Sequence, residues 1–213
     1  MIDLKSFIFN PFQENTYLLI NDKGLCFIID PGCYFINERK ALQEALSQKG
    51  ISPVRLLNTH CHLDHIFGNK LIHDLFNLKP WIHLLEQPVL DRSPQAGQMY
   101  HVPFEPSPNP AGYLTDKEDI RLGEDVLKVI LAPGHSPGSV CFYCEKQQLL
   151  IGGDVLFRES IGRTDLPGGD FKTLETSIRE RLYTLPDEVV VYPGHGLKTT
   201  IGYEKKHNPF VKG

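Results

Sequence analysis

The chain has 213 residues and a formal net charge of −4, with 41% hydrophobic and 23% charged residues, which is ordinary for one globular domain spanning residues 1–213. The acidic balance, with no run of Lys or Arg, argues against a nucleic-acid partner, and no apolar stretch reaches membrane-spanning length. Five cysteines, an odd count at uneven spacing, argue against a disulfide framework, and the first residues lack the charged-then-apolar pattern of a signal peptide, so a cytoplasmic location is expected.

Residues 15–21 and 25–30 are apolar and partly β-branched, and the Asn21-Asp22-Lys23-Gly24 joint between them predicts a hairpin. Over 37–48, Ala41, Leu42, Ala45 and Leu46 follow a helical period, with Gly50 as the stop. A short strand over 54–58 runs into Thr59-His60. A helix starting near Gly68 turns Leu71, Ile72 and Leu75 inward, and 80–85 is a further strand. The segment 91–114 holds Pro94, Pro103, Pro106, Pro108 and Pro110, which predicts a long loop with at most one short helix. Loops of that length in compact domains often act as lids. Strands are expected over 125–131, 139–144 and 148–151. Asp170 caps a helix that shows Phe171, Leu174, Ile178 and Leu182 on one face. The last strand, 189–192, ends at Pro193-Gly194-His195, and Glu204-Lys205-Lys206 reads as a solvated helix face. Two sheets packed face to face with helices outside would bury all these elements.

The chemistry centres on Thr59-His60-Cys61-His62-Leu63-Asp64-His65. In extended backbone His60 and His62 point to the same side and can grip one ion. Asp64 and His65 follow where the chain turns toward a helix, so they aim elsewhere, toward a second ion. His135 in Pro133-Gly134-His135, Asp154 in Gly152-Gly153-Asp154 and His195 in Pro193-Gly194-His195-Gly196 each follow an apolar strand, with glycine beside them to let the backbone come close. Seven protein ligands exceed what one four-coordinate ion takes. Two divalent ions per chain are therefore expected: His60, His62 and His135 on the first, Asp64, His65 and His195 on the second, Asp154 bridging. Nitrogen and oxygen donors suit zinc, iron or manganese. A water between such ions becomes a nucleophile near neutral pH, and no Gly-x-Ser-x-Gly elbow offers a competing serine. His73, His83 and His207 read as structural or surface residues, while His101, in the Pro-rich segment, is a weak candidate to face the site. Cys141 and Cys144, three apart in a strand, point to opposite faces, and Cys61 points away from the ions, so these sulfurs are expected to pack rather than react.

His60-x-His62-x-Asp64-His65, with the later His135, Asp154 and His195, resembles the full ligand set of the metallo-β-lactamase superfamily. Asn10-Pro11-Phe12-Gln13-Glu14-Asn15-Thr16-Tyr17, the run from Ile161-Gly162-Arg163-Thr164-Asp165 to Gly169, Thr199-Thr200-Ile201-Gly202-Tyr203-Glu204 and Asn208-Pro209-Phe210 are similar to the short, stand-alone glyoxalase II-like branch. The resemblance implies an α/β fold, the four-layer αββα sandwich of two mixed sheets flanked by helices. It implies zinc first, with iron or manganese as alternatives, and hydrolysis of a small-molecule thioester of the S-lactoylglutathione type. The nucleophile would be a hydroxide held between the ions, which Asp64 would orient. Arg163, Lys198 and Lys205 are candidate contacts for substrate anions. Only 18 residues follow His195, so the C-terminal helical substrate domain of full-length glyoxalase II is expected to be absent. Persulfide dioxygenases are similar too and imply an alternative, one iron on His60, His135 and Asp154. Lactone hydrolysis by the same hydroxide is another.

Overall fold

A computed structural model describes residues 1–213. The first sheet takes its strands in chain order: β1 (Asp3–Phe9), β2 (Glu14–Ile20), β3 (Leu25–Ile29), β4 (Ser52–Leu57), β5 (Pro80–His83) and β6 (Gly112–Leu114). The β1–β2 and β2–β3 pairs are antiparallel, and β3 through β6 run parallel. The second sheet is built from β7 (Asp119–Leu122), β8 (Asp125–Leu131), β9 (Val140–Cys144), β10 (Leu149–Gly153), β13 (Val190–Pro193) and β14 (Thr199–Thr200), with β13 parallel to β10 and between it and β14. A small hairpin, β11 (Leu156–Phe157) and β12 (Ser160–Ile161), stands apart.

Each sheet is apolar on both faces because both are covered. Tyr17, Leu19, Phe27, Ile29 and Leu57 of the first sheet meet Leu127, Val129, Phe142 and Ile151 of the second in the central core. Outside the first sheet, α1 (Ile36–Leu46) and α3 (Asn69–Phe76) set Leu42, Leu46 and Ile72 against Leu18, Ile28 and Leu56. Outside the second, α6 (Phe171–Ser177) and the π-helical turn that extends it, Ile178–Leu182, set Leu174, Ile178 and Leu182 against Cys141 and Leu150. The result is the expected αββα sandwich. Cys141 and Cys144 fall into different cores on opposite faces of β9, as their spacing predicts. The hairpin joint turns at Gly24, where φ is +78° and an added Cβ would sit 1.7 Å from the Gly50 carbonyl oxygen. No helix is long and apolar enough to cross a membrane.

Several expectations need correction. The Pro-rich segment keeps its loop over 100–111 and its one short helix, α5 (Ser93–Met99), but β6 closes it and an unexpected helix, α4 (Gln87–Asp91), leads into it. Pro88 and Pro94 stand in the first turns of those helices, where a missing N–H leaves no intrahelical bond unmade. Phe171 and Leu75, expected inward, are 45% and 39% exposed; on α3 it is Ile72 and Phe76 that pack against the first sheet. Glu204, read as part of a solvated face, is fully buried on α7 (Ile201–His207); it accepts hydrogen bonds from Thr199 Oγ1, the Glu159 N–H and Asn208 Nδ2.

Candidate metal centre and active site

The seven histidine and aspartate side chains singled out in the sequence sit on strand exits, and those exits meet at one edge of the sandwich. β4 leads into the 58–62 stretch, and the single turn α2 (Leu63–Ile66) then aims Asp64 and His65. His135 lies in the crossing from β8 to β9, Asp154 directly after β10, and His195 two residues after β13. The two sheets are tied at this edge: the Val140 N–H donates to the Thr59 carbonyl, and the Asn15 N–H to the Gly194 carbonyl. Gly194 has to be glycine, because a Cβ there would lie 2.1 Å from Asp154 Oδ1 and 2.8 Å from His65 Cε1.

The side chains form two groups. His60, His62 and His135 bring ligand atoms within 4.8 Å of one another, and so do Asp64, His65 and His195. His135 Nε2 is 2.9 Å from His62 Nδ1 and 3.2 Å from His60 Nε2. His195 Nε2 is 3.1 Å from Asp64 Oδ2. Asp154 lies between the groups: Oδ1 is 3.4 Å from His65 Nε2, and Oδ2 is 3.5 Å from both His135 Nε2 and His195 Nε2.

The opposite ring nitrogens are held from behind. His135 Nδ1 donates to the Arg163 carbonyl at 2.7 Å, and His195 Nδ1 to the Phe12 carbonyl at 3.0 Å. His65 Nδ1 donates to Asp30 Oδ2. Thr59 Oγ1 donates to the same Asp30 oxygen at 2.6 Å, so its lone pair is left to accept from His60 Nδ1 at 3.0 Å. With Nδ1 as the donor, Nε2 of these four rings presents its lone pair to the centre. Asp30, which also groups with His60 and His65, has its oxygens engaged by Thr59, His65 and Asn58 and supports the centre from outside.

Two polar atoms at the middle of the cluster, His65 Nε2 and Asp154 Oδ1, are buried and make no hydrogen bond. Buried polar atoms are almost always paired, and a cation is the partner this donor set fits. The electrostatics of the His60, His62 and His135 group agree. Burial, and then the neighbouring His65 and His135, push His60 well below the usual histidine range; burial and His135 take His62 down to about 4. His135 is lowered by burial as well. These rings stay neutral, as ligands must. Burial alone would lower His65 and His195, but the Asp64 and Asp154 carboxylates raise both rings, and the same pairing outweighs burial at the two carboxyls and keeps them low and ionised; a cation held there would take the place of the ring protons on Nε2.

A cavity of about 570 Å³ opens over the cluster. Its floor is His62, Asp64, His135, Asp154 and His195; its walls come from α4–α5, the β11–β12 hairpin and the stretch around Leu166. Of the three expected substrate contacts, only Arg163 lines it, and its guanidinium is bound bidentately by Asp165, with both contacts at 2.7 Å. Lys198 faces a separate depression with Arg158 and Tyr203, and Lys205 pairs with Asp187. His101 is exposed and does not line the cavity. Cys61 is fully buried with its thiol pushed well above its usual range by burial, which suits a packing residue.

Sequence reasoning passed over Asp30, Glu86 and α4. Glu86, with no exposed surface, accepts from the Cys61 N–H, Ser136 Oγ and the Gly138 N–H, and so pins the His60–His62 segment to the His135 loop. Asp30 carried the same signal as Asp154, an aspartate closing an apolar strand. Glu86 carried none.

An αββα sandwich with a His/Asp cluster where its two sheets meet is the architecture of a metallo-hydrolase. The family described as the metallo-beta-lactamase superfamily matches residues 9–195, and the chain belongs to that superfamily. It is 38% identical to the probable metallo-hydrolase YqgX of Bacillus subtilis, covering 95% of this chain and 94% of the relative. It is 34% identical to the hydroxyacylglutathione hydrolase GloC of Haemophilus influenzae, covering 94% and 93%. Among solved structures, the BLEG-1 B3 metallo-beta-lactamase superposes with a TM-score of 0.87 at 37% identity over 99% of this chain and all of the other. TTHA1623 in a di-iron-bound form gives 0.87 at 36% identity over 97% and 100%.

Proposed function

We propose that this protein is a two-metal hydrolase of small thioesters of the hydroxyacylglutathione type, with zinc as the first choice of metal and iron or manganese as alternatives. The observation that carries the reading is the pair of three-ligand groups with Asp154 between them and two buried, unpaired atoms, His65 Nε2 and Asp154 Oδ1, at their centre. On this reading His60, His62 and His135 hold one ion, Asp64, His65 and His195 the other, and Asp154 both. Such a pair supplies an ionised water at neutral pH and polarises a carbonyl oxygen. The protein's own part is positional. The Nδ1 bonds described above fix the rings. Asp64 lines the cavity as an ionised acceptor and orients the attacking water. The largely apolar wall keeps bulk water off the reacting carbonyl. A thiolate leaves readily, so no general acid is demanded of the lining. The thioester assignment is supported by the 34% identity to the Haemophilus hydroxyacylglutathione hydrolase.

The test is elemental analysis of the purified protein paired with turnover of S-lactoylglutathione. Two metals per chain with thioester hydrolysis is the expected result, and Asp154→Ala should lose both metal and turnover. One iron per chain, with oxygen uptake on glutathione persulfide and no thioester hydrolysis, would replace this reading.

A further inference from the structure

The cavity wall is apolar and carries little charge. Val89, Ala96 and Met99 on the α4–α5 side face Phe157, Ile161 and Leu166 across the opening. Met99 and Tyr100 at the rim are 68% and 51% exposed, apolar surface left open beside the catalytic floor. Only two arginines and no lysine reach this lining. Arg163 is spoken for, because Asp165 takes its Nε and one terminal nitrogen in a planar, two-bond pair. Arg92 has no such partner. It is the one residue between α4 and α5, closing the first helix and opening the second, and its backbone N–H donates to the Pro88 carbonyl while its carbonyl accepts from the Ala96 N–H. Ser93, next to it, is buried. The backbone under Arg92 is therefore anchored, and the guanidinium is the one cation of the wall left without a carboxylate.

A substrate fitted to this lining is elongated. Its reacting carbonyl meets the floor, an uncharged middle lies along the apolar wall, and one uncompensated anion ends at α4–α5. We propose that Arg92 is the specificity residue that takes that anion, and that the anion is the glycine carboxylate of a glutathione thioester. Glutathione meets the description because the ammonium and carboxylate of its γ-glutamyl end cancel, leaving the glycine carboxylate as the net charge. A second free anion would find Arg163 already occupied. The inference rests on the thioester reading above and adds to it the residue that selects the thiol half.

The experiment compares S-lactoylglutathione with the same thioester of glutathione glycine monoethyl ester, in which that carboxylate alone is masked. In the parent protein, KM for the acid should be roughly tenfold below KM for the ester, the scale of one charge-assisted pair open to solvent. In Arg92→Ala the two KM values should converge with kcat values retained, and Arg92→Lys should recover part of the difference. A parent that does not discriminate, or an Arg92→Ala variant that discriminates as the parent does, overturns the assignment. If the fully metallated protein hydrolyses neither thioester, the functional reading fails by itself. Arg92 is then judged by calorimetric binding of S-butylglutathione and its glycine ethyl ester: a parent preference for the acid that Arg92→Ala abolishes sustains it, and equal binding in both proteins ends it.

Discussion

At the centre of the site a single threonine carries an unusual load. Thr59 Oγ1 donates to Asp30 and accepts from His60, so one hydroxyl fixes a histidine ring and shares the carboxylate that fixes another, His65. Thr59→Val keeps the volume and removes the relay. It leaves His60 Nδ1 without a buried acceptor, and metal affinity should fall about ten- to a hundredfold, as for other supports behind metal ligands. Competition with a chromogenic chelator reads this directly; an unchanged affinity would mean the hydroxyl does not orient the ring. The histidines themselves were legible in the sequence because clustered, glycine-flanked histidines at strand ends are rare without a purpose. Their supports were not. Asp30 reads as the stop of a strand, and its backbone has φ +48°, a conformation no local pattern announced. Glu86 receives its three donors from residues 25, 50 and 52 positions away, so nothing next to it in the chain hints that it is buried.

The elements were legible where both faces of a strand are covered. β3, β9 and β10 are almost wholly buried, and their near-continuous apolar runs show it. β1 was not foreseen, because as an edge strand bonded only to β2 it is half exposed and alternates weakly. α4 was not foreseen, because its five residues are too few to show a helical period, although Pro88 stands in its first turn. One ion pair joins elements across the second sheet. Asp116, between β6 and β7, accepts from Arg181 in the turn after α6 and from the Leu131 N–H at the end of β8. Burial pulls the Asp116 carboxyl up, but these two donors outweigh it and leave it below the usual range. A carboxyl lowered by folding stabilises the fold above its unfolded pKa of about 3.9, and the contribution is lost as pH falls through the lower, folded value. Asp116→Asn should therefore cost on the order of 0.5–1 kcal/mol at pH 7 for this partly exposed pair. The gap to the parent should close as pH falls through the lowered folded value. Urea unfolding across that pH range checks it, and a gap that stays constant would point to packing instead of charge.

Across the whole molecule, the ligand cluster draws on both sheets, since His60 and His62 leave the first, while Asp154 and His195 leave the second. Ions bound there would brace the two layers against each other. Chelation should lower the melting temperature by on the order of ten degrees, given about 4 kcal/mol of linkage at a thousandfold excess over Kd and a chain of this size. Calorimetry with and without EDTA measures it, and coincident transitions would show that the cluster does not brace the sandwich. Asn15 Nδ2 holds the Pro193 and Gly196 carbonyls, the first of these 178 positions away, and the Phe12 carbonyl steadies His195. During synthesis, residues 12–15 must wait for residues 193–196 before this corner can close. Vectorial folding can finish the first sheet early, yet the His/Asp cluster is complete only once His195 has emerged. A chain stalled just short of residue 195 would hold the first sheet and lack one corner of the cluster.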